Sequence, residues 1–516
     1  MLFRQFVDED LGCASYLVGD EDAGEAVLVD PGYAIEPYLK EAERQEVRVV
    51  RVLETHTHAD HVSGHGRLAL EHGLPIGIHP AANVEYPCDP FEDGDAIDVG
   101  AVSLRVLHTP GHRPEHCCFA VVDRSRAEEP WLVLTGDSLF VGEAARPDLA
   151  VAAVDGAEGL FRSLRRLAEL QDGVEVFPGH VAGSLCGTGM SSRASSTIGF
   201  ERRFNPAFAT TDEQEFVAES VHVSTPRPPT MERVVEINRG PFLGAHAPLE
   251  RLRARDGSAV LDVRQPRVFA RGHLHGAINI PLRRSGVGTR AGFVFAADEP
   301  IAVHAETAEE AEEAARRLRA VGLLGVHGYL LDVRQPRVFA RGHLHGAINI
   351  PLRRSGVGTR AGFVFAPDEP IVLHAETAAE AQEAARRLWA VGLLDVHGYL
   401  VDVPATETLE PVGVDELERL LAEDAVDVID VREKAERDAG YIPGSRHIPY
   451  RVIRAYGEEA ADGKPVVTIC ESGARATLAA SILAAAGIDA RPILDGGVRD
   501  WQARGHRLVH FRRCGR

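Results

Sequence analysis

One short stretch, ETHTHADHVSG (Glu54–Gly64), holds four side chains able to bind metal within six positions: His56, His58, Asp60 and His61. They lie where a valine-rich run, VRVVRVL, stops and a helix-like run starts, so a strand delivers them at its C-terminal end. Three later segments repeat the arrangement. HTPGHRPEH brings His112, LTGDSLF brings Asp137 and FPGHVAGSLCG brings His180, each at the end of an apolar run. A polar loop would explain the first cluster alone, but not three more donors at strand ends. Imidazole and carboxylate donors together suit zinc, iron or manganese, with no thiolate required. His65, His72, His79, His108 and His116 read instead as structural or solvent-facing. Cys117 and Cys118, adjacent in the apolar run HCCFAVV, read as small buried hydrophobes.

A second chemistry-bearing segment lies near the C-terminus, KPVVTICESGARATLAASILAAAG. The strand-like run VVTI delivers Cys470 into the loop ESGAR, and an alanine-rich helix follows. Backbone N–H groups of Glu471, Ser472, Gly473 and Ala474, with the helix N-terminus, would cradle an anion and favour a thiolate. Gly473 permits the tight turn, and Arg475 adds fixed positive charge.

Elements able to position these groups follow from the pattern. Over residues 1–240, short β-rich runs (EAVLVDPG, VRVVRVLET, VSLRVLHTPG, HCCFAVVD, WLVLTGD, VEVFPGH) alternate with turns and with helical stretches such as GLFRSLRRLAELQDG. The proline-rich passage STPRPPTMERVV reads as a linker. An internal repeat follows: LDVRQPRVFARGHLHGAINIPLRRSGVGTRAGFVFA starts at Leu261 and again, unchanged, at Leu331. A diverged relative begins near Pro411, where VIDVREKAERDAGYIPGSRHIPY follows the same pattern. Strand, turn, strand and alanine-rich helix recur in each, which predicts α/β modules with parallel sheets. The domains expected are 1–240, 241–330, 331–405 and 411–516. Aligned on Pro300, Pro370 and Pro465, the cysteine loop becomes AETAEE (Ala305–Glu310) in the first copy and AETAAE (Ala375–Glu380) in the second. Neither copy keeps the thiol, the turn glycine or the arginine. The first copy runs from VHGYL directly into LDVRQ, so the copies share elements or one is incomplete.

Composition sets outer bounds. A chain of 516 residues with 45% hydrophobic residues should fold as several α/β domains, and no apolar run is long enough to span a bilayer. A formal charge of −21 argues against a nucleic-acid partner. The opening residues lack the layout of a signal peptide, which predicts a cytoplasmic protein. Seven thinly spread cysteines predict reduced thiols, and the sequence leaves a homo-oligomer open.

HTHADH with the later histidine, aspartate and histidine resembles the metallo-β-lactamase superfamily, which implies an αββα sandwich with its metal site between two sheets. In hydrolase members such as glyoxalase II, the resemblance implies two zinc ions. His56, His58 and His112 would hold one, Asp60, His61 and His180 the other, and Asp137 would bridge them. In persulfide dioxygenases it implies one Fe(II) per chain on His56, His112 and Asp137, with His58, Asp60, His61 and His180 orienting ligands or water. FRQFVDEDLGCASYLVG, TGDSLFVGEAARPDL and GHVAGSLCG followed by SSTIGFERRFNP resemble the dioxygenase side, so iron is the expectation and two zinc ions the alternative. Cys186, in GSLCG, reads equally as a thiol at the substrate site and as a packed turn residue.

Cys-x-x-Gly-x-Arg resembles the rhodanese sulfurtransferase loop, which implies that Cys470 carries a persulfide; ILDGGVRDWQARGHRL is similar to a rhodanese end. The whole order resembles the persulfide dioxygenase–rhodanese fusions of bacterial sulfide detoxification, apart from the doubled inactive module. That implies small-molecule partners: the persulfide of glutathione or coenzyme A, O2, sulfite and thiosulfate. Two rivals are a dinuclear zinc thioester hydrolase fused to a sulfurtransferase, and a persulfide carrier whose metallo domain receives a partner.

Overall fold

Several N-terminal strands are buried at every position, which two facing sheets covered on their outer sides explain, because successive side chains of a strand point to opposite faces. The first sheet has the order β1-β2-β3-β4-β5, formed by β1 (Leu2–Val7), β2 (Ala14–Asp20), β3 (Glu25–Val29), β4 (Arg48–Leu53) and β5 (Ile76–Gly77). The second is built from β6 (Ala96–Val99), β7 (Val102–His108), β8 (Cys117–Asp123), β9 (Leu132–Gly136), β12 (Glu175–Pro178) and β13 (Ser196–Thr197), in the order β13-β12-β9-β8-β7-β6. A small hairpin, β10 (Leu139–Phe140) with β11 (Glu143–Ala144), follows β9. In this computed structural model the described residues are 1–8, 11–148, 150–181, 191, 193–221, 227–246, 248, 259–262, 265, 267, 270, 278–279, 281–282, 301–304, 314, 329–344, 346–353, 356–402, 405, 407–456 and 463–510.

Between the sheets, Tyr16, Val18, Val27 and Val29 share one core with Leu104, Val106, Phe119, Val121 and Leu134. Their neighbours in sequence face outward. Leu17, Leu28 and Val52 pack with Tyr38, Ala42 and Leu68 of the helices Glu36–Arg44 and His65–His72. On the other outer face, Cys118, Val133 and Val176 pack with Leu160, Leu164 and Leu167 of the helix Ala153–Leu167. Two sheets with helices outside both make the αββα sandwich, as expected. Parallel pairs β3–β4 and β9–β12 end on the side where the histidines and aspartates gather. No helix among the described residues is long and apolar enough to cross a membrane.

By internal contacts the chain divides into two units, Met1–Ala247 with Ala361–Pro367 and Arg386–Leu394, and Pro248–Arg360 with Asp368–Ala385 and Asp395–Arg516. The second unit contains three parallel sheets, also as expected. These are β15-β14-β16, from β14 (Ala259–Asp262), β15 (Ile278–Asn279) and β16 (Ile301–His304); β18-β17-β19-β20, from β17 (Tyr329–Asp332), β18 (Ile348–Asn349), β19 (Ile371–His374) and β20 (Val396–Leu400); and β22-β21-β23-β24, from β21 (Asp427–Asp430), β22 (Arg446–His447), β23 (Val466–Ile469) and β24 (Ala490–Pro492). The repeats keep one register, with Leu261 opposite Ile278 in the first and Leu331 opposite Ile348 in the second.

The phrase VHGYL has two fates. At Val396–Leu400 it is β20, the outer strand of its sheet; at its first occurrence, Tyr329 and Leu330 open β17, the central strand of the next sheet. A strand has two edges, and both edges of β17 are taken by β18 and β19. Those residues therefore do not serve as a fourth strand for the first copy, whose described strands number three. Deleting Leu261–Leu330 would join Val260 to Leu331, giving one central strand from the start of β14 and the end of β17. The shortened chain is expected to unfold at the parent's midpoint or above it, read by thermal circular dichroism. A midpoint lowered by more than about 5 °C, on the order of 1–2 kcal/mol, would show that the extra copy supports its neighbours.

Candidate functional site

Glu54 leaves the end of β4 with its N–H on the Gly77 carbonyl (2.9 Å), and the Thr55 carbonyl accepts from Cys117 N–H (2.8 Å). The metal-competent loop is thus pinned between the two sheets. Asp30, just after β3 at φ 49°, accepts from Thr55 N–H (2.7 Å) and from the Thr55 hydroxyl (2.8 Å). At Gly136, φ 48°, a Cβ would fall 2.6 Å from His116 Nε2 and 2.9 Å from Thr55 Oγ1, so only glycine lets β9 turn Asp137 inward here. His116 Nε2 accepts the Asp137 N–H (2.9 Å) while its Nδ1–H donates to Thr109 (2.9 Å). Burial, and then His112, hold His116 neutral with a pKa near 3. It is structural, as expected.

The expected residues divide into three neighbouring groups. His56, His112 and Asp137 bring donor atoms within 4.8 Å of one another, all buried. Because the Thr55 hydroxyl donates to Asp30, it accepts from His56 Nδ1–H (2.9 Å), which leaves His56 Nε2 with a lone pair; that atom is buried without a partner. His112 Nδ1–H donates to the Arg146 carbonyl (3.1 Å), so its Nε2 also carries a lone pair, 3.5 Å from Asp137 Oδ2. Asp137 Oδ2 is itself buried with no hydrogen-bond partner. Burial, then the charge of neighbouring His58, holds the His56 pKa far below the ordinary histidine value, and burial lowers that of His112. Burial opposes ionisation of Asp137, but His180 outweighs it and keeps the carboxyl well below the usual range. Two neutral imidazoles and a carboxylate with unsatisfied, inward lone pairs fit a divalent transition metal.

The second group joins Asp60, His61 and His180 to Cys13. His180 lies between two carboxylates, with Nδ1 2.6 Å from Asp137 Oδ1 and Nε2 2.7 Å from Asp60 Oδ2. His61 Nδ1 is 3.2 Å from Asp60 Oδ1 and 3.4 Å from Cys13 Sγ, and its Nε2 is buried without a partner. The third group is Asp30, Glu54 and His58. His58 directs Nε2 to Glu54 (3.1 Å) and Asp30 (3.3 Å), and its Nδ1 is a buried orphan. Burial and His61 oppose its charging, but Asp30 and Glu54 prevail and raise its pKa to about 9. Glu54 also accepts from Ser63 (2.6 Å) and pairs with His65 (3.0 Å).

Cys13, Asp30 and Glu54 escaped the sequence reading. Asp30 in VLVDPG ends a strand just as Asp137 does, and that was the available signal. Cys13 lies in FRQFVDEDLGCASYLVG, a stretch read only for its resemblance and not for its thiol. Cys117 and Cys118 are fully buried, with burial raising the Cys118 thiol to about 12, which fits small core residues. Cys186 lies outside the described residues. Asn238 anchors the same loop from far along the chain: its Oδ1 accepts Ser63 N–H (2.8 Å) and its Nδ2 donates to the carbonyls of His58 (3.0 Å) and His61 (2.8 Å).

In the third α/β module, β23 ends at Ile469 and Cys470 follows, its side chain buried. The helix Ala474–Ala485 starts with Thr477 N–H on the Gly473 carbonyl (2.8 Å), which leaves its first amides without intrahelical partners at the cysteine loop. Gly473 has φ 83°, and a Cβ there would meet the Leu494 carbonyl oxygen at 2.4 Å. Arg475 forks onto Glu436 (2.6 and 2.8 Å), a partner the sequence reading lacked, so much of its charge is compensated. Glu471 gives one carboxylate oxygen to Arg432 (2.8 Å) and has the other 3.5 Å from Arg499 Nε, and Ser472 is exposed. In the second copy, β19 ends at His374 and Ala375 stands where Cys470 does, buried. Glu380 stands in the position of Arg475 and pairs with Arg353 (3.1 Å). The supporting fork persists: Arg334 holds Asp332 as Arg432 holds Asp430. In the first copy, Ala305–Glu310 lies outside the described residues.

Comparison with known proteins is consistent with this division. The metallo-beta-lactamase superfamily model matches residues 8–180, and the rhodanese-like domain model matches residues 246–329, 310–401 and 413–504. The overlap of the first two rhodanese matches falls on the segment that runs into β17. The chain is 34% identical over 235 residues to an uncharacterized protein of Mycobacterium leprae, covering 40% of this chain and 98% of that one. It is 29% identical over 243 residues to a mitochondrial persulfide dioxygenase of Bos taurus, covering 46% of this chain and 87% of the relative. Among solved structures, a metallo-beta-lactamase from Staphylococcus aureus aligns with a TM-score of 0.54 at 25% identity, covering 78% of this chain and 99% of that one.

Proposed function

Since the chain belongs to the metallo-β-lactamase superfamily and continues into rhodanese-like domains, we propose that it oxidises low-molecular-weight persulfides with O2 and transfers sulfane sulfur through Cys470. The observation that carries the reading is the set of inward lone pairs on His56, His112 and Asp137, a two-histidine, one-carboxylate face. The bovine relative, a persulfide dioxygenase, supports the same reaction class. Bound by these three residues, ferrous iron would supply O2 activation and a contact for the persulfide sulfur.

The chain's own residues hold this face rigid. Thr55 and Asp30 fix the His56 tautomer, the Arg146 carbonyl fixes that of His112, and His116 holds the backbone at Asp137. His180 bridges Asp137 and Asp60 with both ring nitrogens, so each carboxylate keeps its orientation, and burial of the whole set excludes bulk water. Overall, a persulfide, O2 and water give the thiol and sulfite. At Cys470, sulfite attacks the sulfane sulfur of the cysteine persulfide. A sulfur–sulfur bond forms in thiosulfate, the bond to Sγ breaks, and its electron pair returns to Sγ as thiolate, which the first amides of the adjoining helix would stabilise.

A dinuclear zinc thioester hydrolase is the second reading, favoured by the buried orphan atoms His58 Nδ1 and His61 Nε2. Anaerobic purification with metal quantification separates the two. One iron per chain, with O2 uptake on glutathione persulfide, is expected. Two zinc ions per chain, thioester hydrolysis and no O2 uptake would replace the first reading by the second.

A further inference from the structure

Beside the metal-competent loop lies a cleft of about 890 Å³. Ala59 and Arg113, which line it, are next in sequence to His58, Asp60 and His112, so the cleft adjoins the metal-competent loops. Its volume falls within the usual range for small-molecule sites. Three arginines line it, and two are engaged. Arg113 Nε donates to Glu115 (2.7 Å), and Arg227 donates to the Asp148 carbonyl. Arg239 is different. Its guanidinium has no hydrogen bond and no ion pair among the described residues, and its Nε is buried without a partner. A buried donor such as this Nε costs stability when it is left without an acceptor, and an anionic ligand in the cleft would supply one.

Its position is fixed rather than incidental. Arg239 ends the helix Met231–Arg239, whose Val234 and Ile237 are buried, and its carbonyl accepts from Glu85 N–H (2.6 Å). The preceding residue, Asn238, is the one bonded to the backbone of His58, His61 and Ser63. The guanidinium is therefore carried on a helix end tied directly to the metal-competent loop. We infer that Arg239 is the docking cation of the cleft, binding a carboxylate or phosphate group of an anionic thiol ligand. The inference rests on reading the adjacent centre as a site for small thiols, but it concerns binding and not turnover.

Calorimetric titration of the full-length, metal-loaded protein with glutathione and, separately, with coenzyme A tests it. The parent should bind at least one of them, and Arg239→Ala should weaken that binding by about tenfold or more. Arg239→Lys should recover part of the loss, while metal content and thermal midpoint stay unchanged in both variants. Loss confined to glutathione assigns a carboxylate, and loss confined to coenzyme A assigns a phosphate. If neither thiol binds the parent, if Arg239→Ala binds as tightly, or if the variant loses its metal, the inference is overturned. Arg239-dependent binding without O2 uptake on any persulfide would keep the anchor and discard the dioxygenase reading.

Discussion

Asp137→Ala yields protein without bound iron and without O2 uptake on glutathione persulfide; this is the largest single effect expected. Asp137 is the only carboxylate of its group, and Oδ2 is the buried oxygen with no other partner. Removing it leaves two neutral imidazoles, and it also releases His180 from one of its two carboxylates. The loss should exceed the ~10–100-fold reduction that follows from deleting an outer hydrogen-bond partner of a metal ligand. Thr55→Val, which strips the hydroxyl from His56 Nδ1 but spares every donor atom, supplies that milder comparison. Metal analysis and an oxygen electrode read both variants. An Asp137→Ala protein that keeps its iron and its O2 uptake would remove this residue from the centre.

Cys470→Ser should leave O2 uptake and sulfite release at parental levels while sulfur transfer to sulfite falls by at least about a hundredfold, close to 3 kcal/mol in barrier height. The substitution preserves size at a buried position, so the fold has little reason to respond. A serine hydroxyl cannot hold sulfane sulfur as an exchangeable persulfide. The second copy offers the same comparison within the chain: its loop follows an equivalent strand, and Ala375 occupies the nucleophile's place. Thiosulfate formation is the readout. Undiminished transfer in Cys470→Ser would move the sulfur-carrying role to another thiol, with Cys186 the first to examine.

The centre was legible wherever a donor residue ended an apolar run. His56, His112, Asp137 and His180 could be named that way because strand ends converge in a two-sheet sandwich. Cys470 was legible because a strand, a tight glycine turn and an alanine-rich helix form a local unit. What stayed hidden was pairing at a distance. Glu436 is fixed to Arg475 only through tertiary structure, and the same is true of Asp30 with Thr55 and of Cys13 with His61. The doubled phrase VHGYL was visible as a repeat. Its two fates were not, since the same five residues precede different segments and the sheet position is set by which strands pair with them.

Asn238 also bears on where an excised metal domain can be cut. The superfamily match ends at residue 180, yet three backbone groups of the metal-competent loop, the carbonyls of His58 and His61 and the N–H of Ser63, bond to a side chain far beyond that point. A fragment terminated anywhere before residue 238 strands those groups, at about 1–3 kcal/mol for each left dry. The smallest self-sufficient piece is set by that amide, and it is longer than the stretch the superfamily model matches.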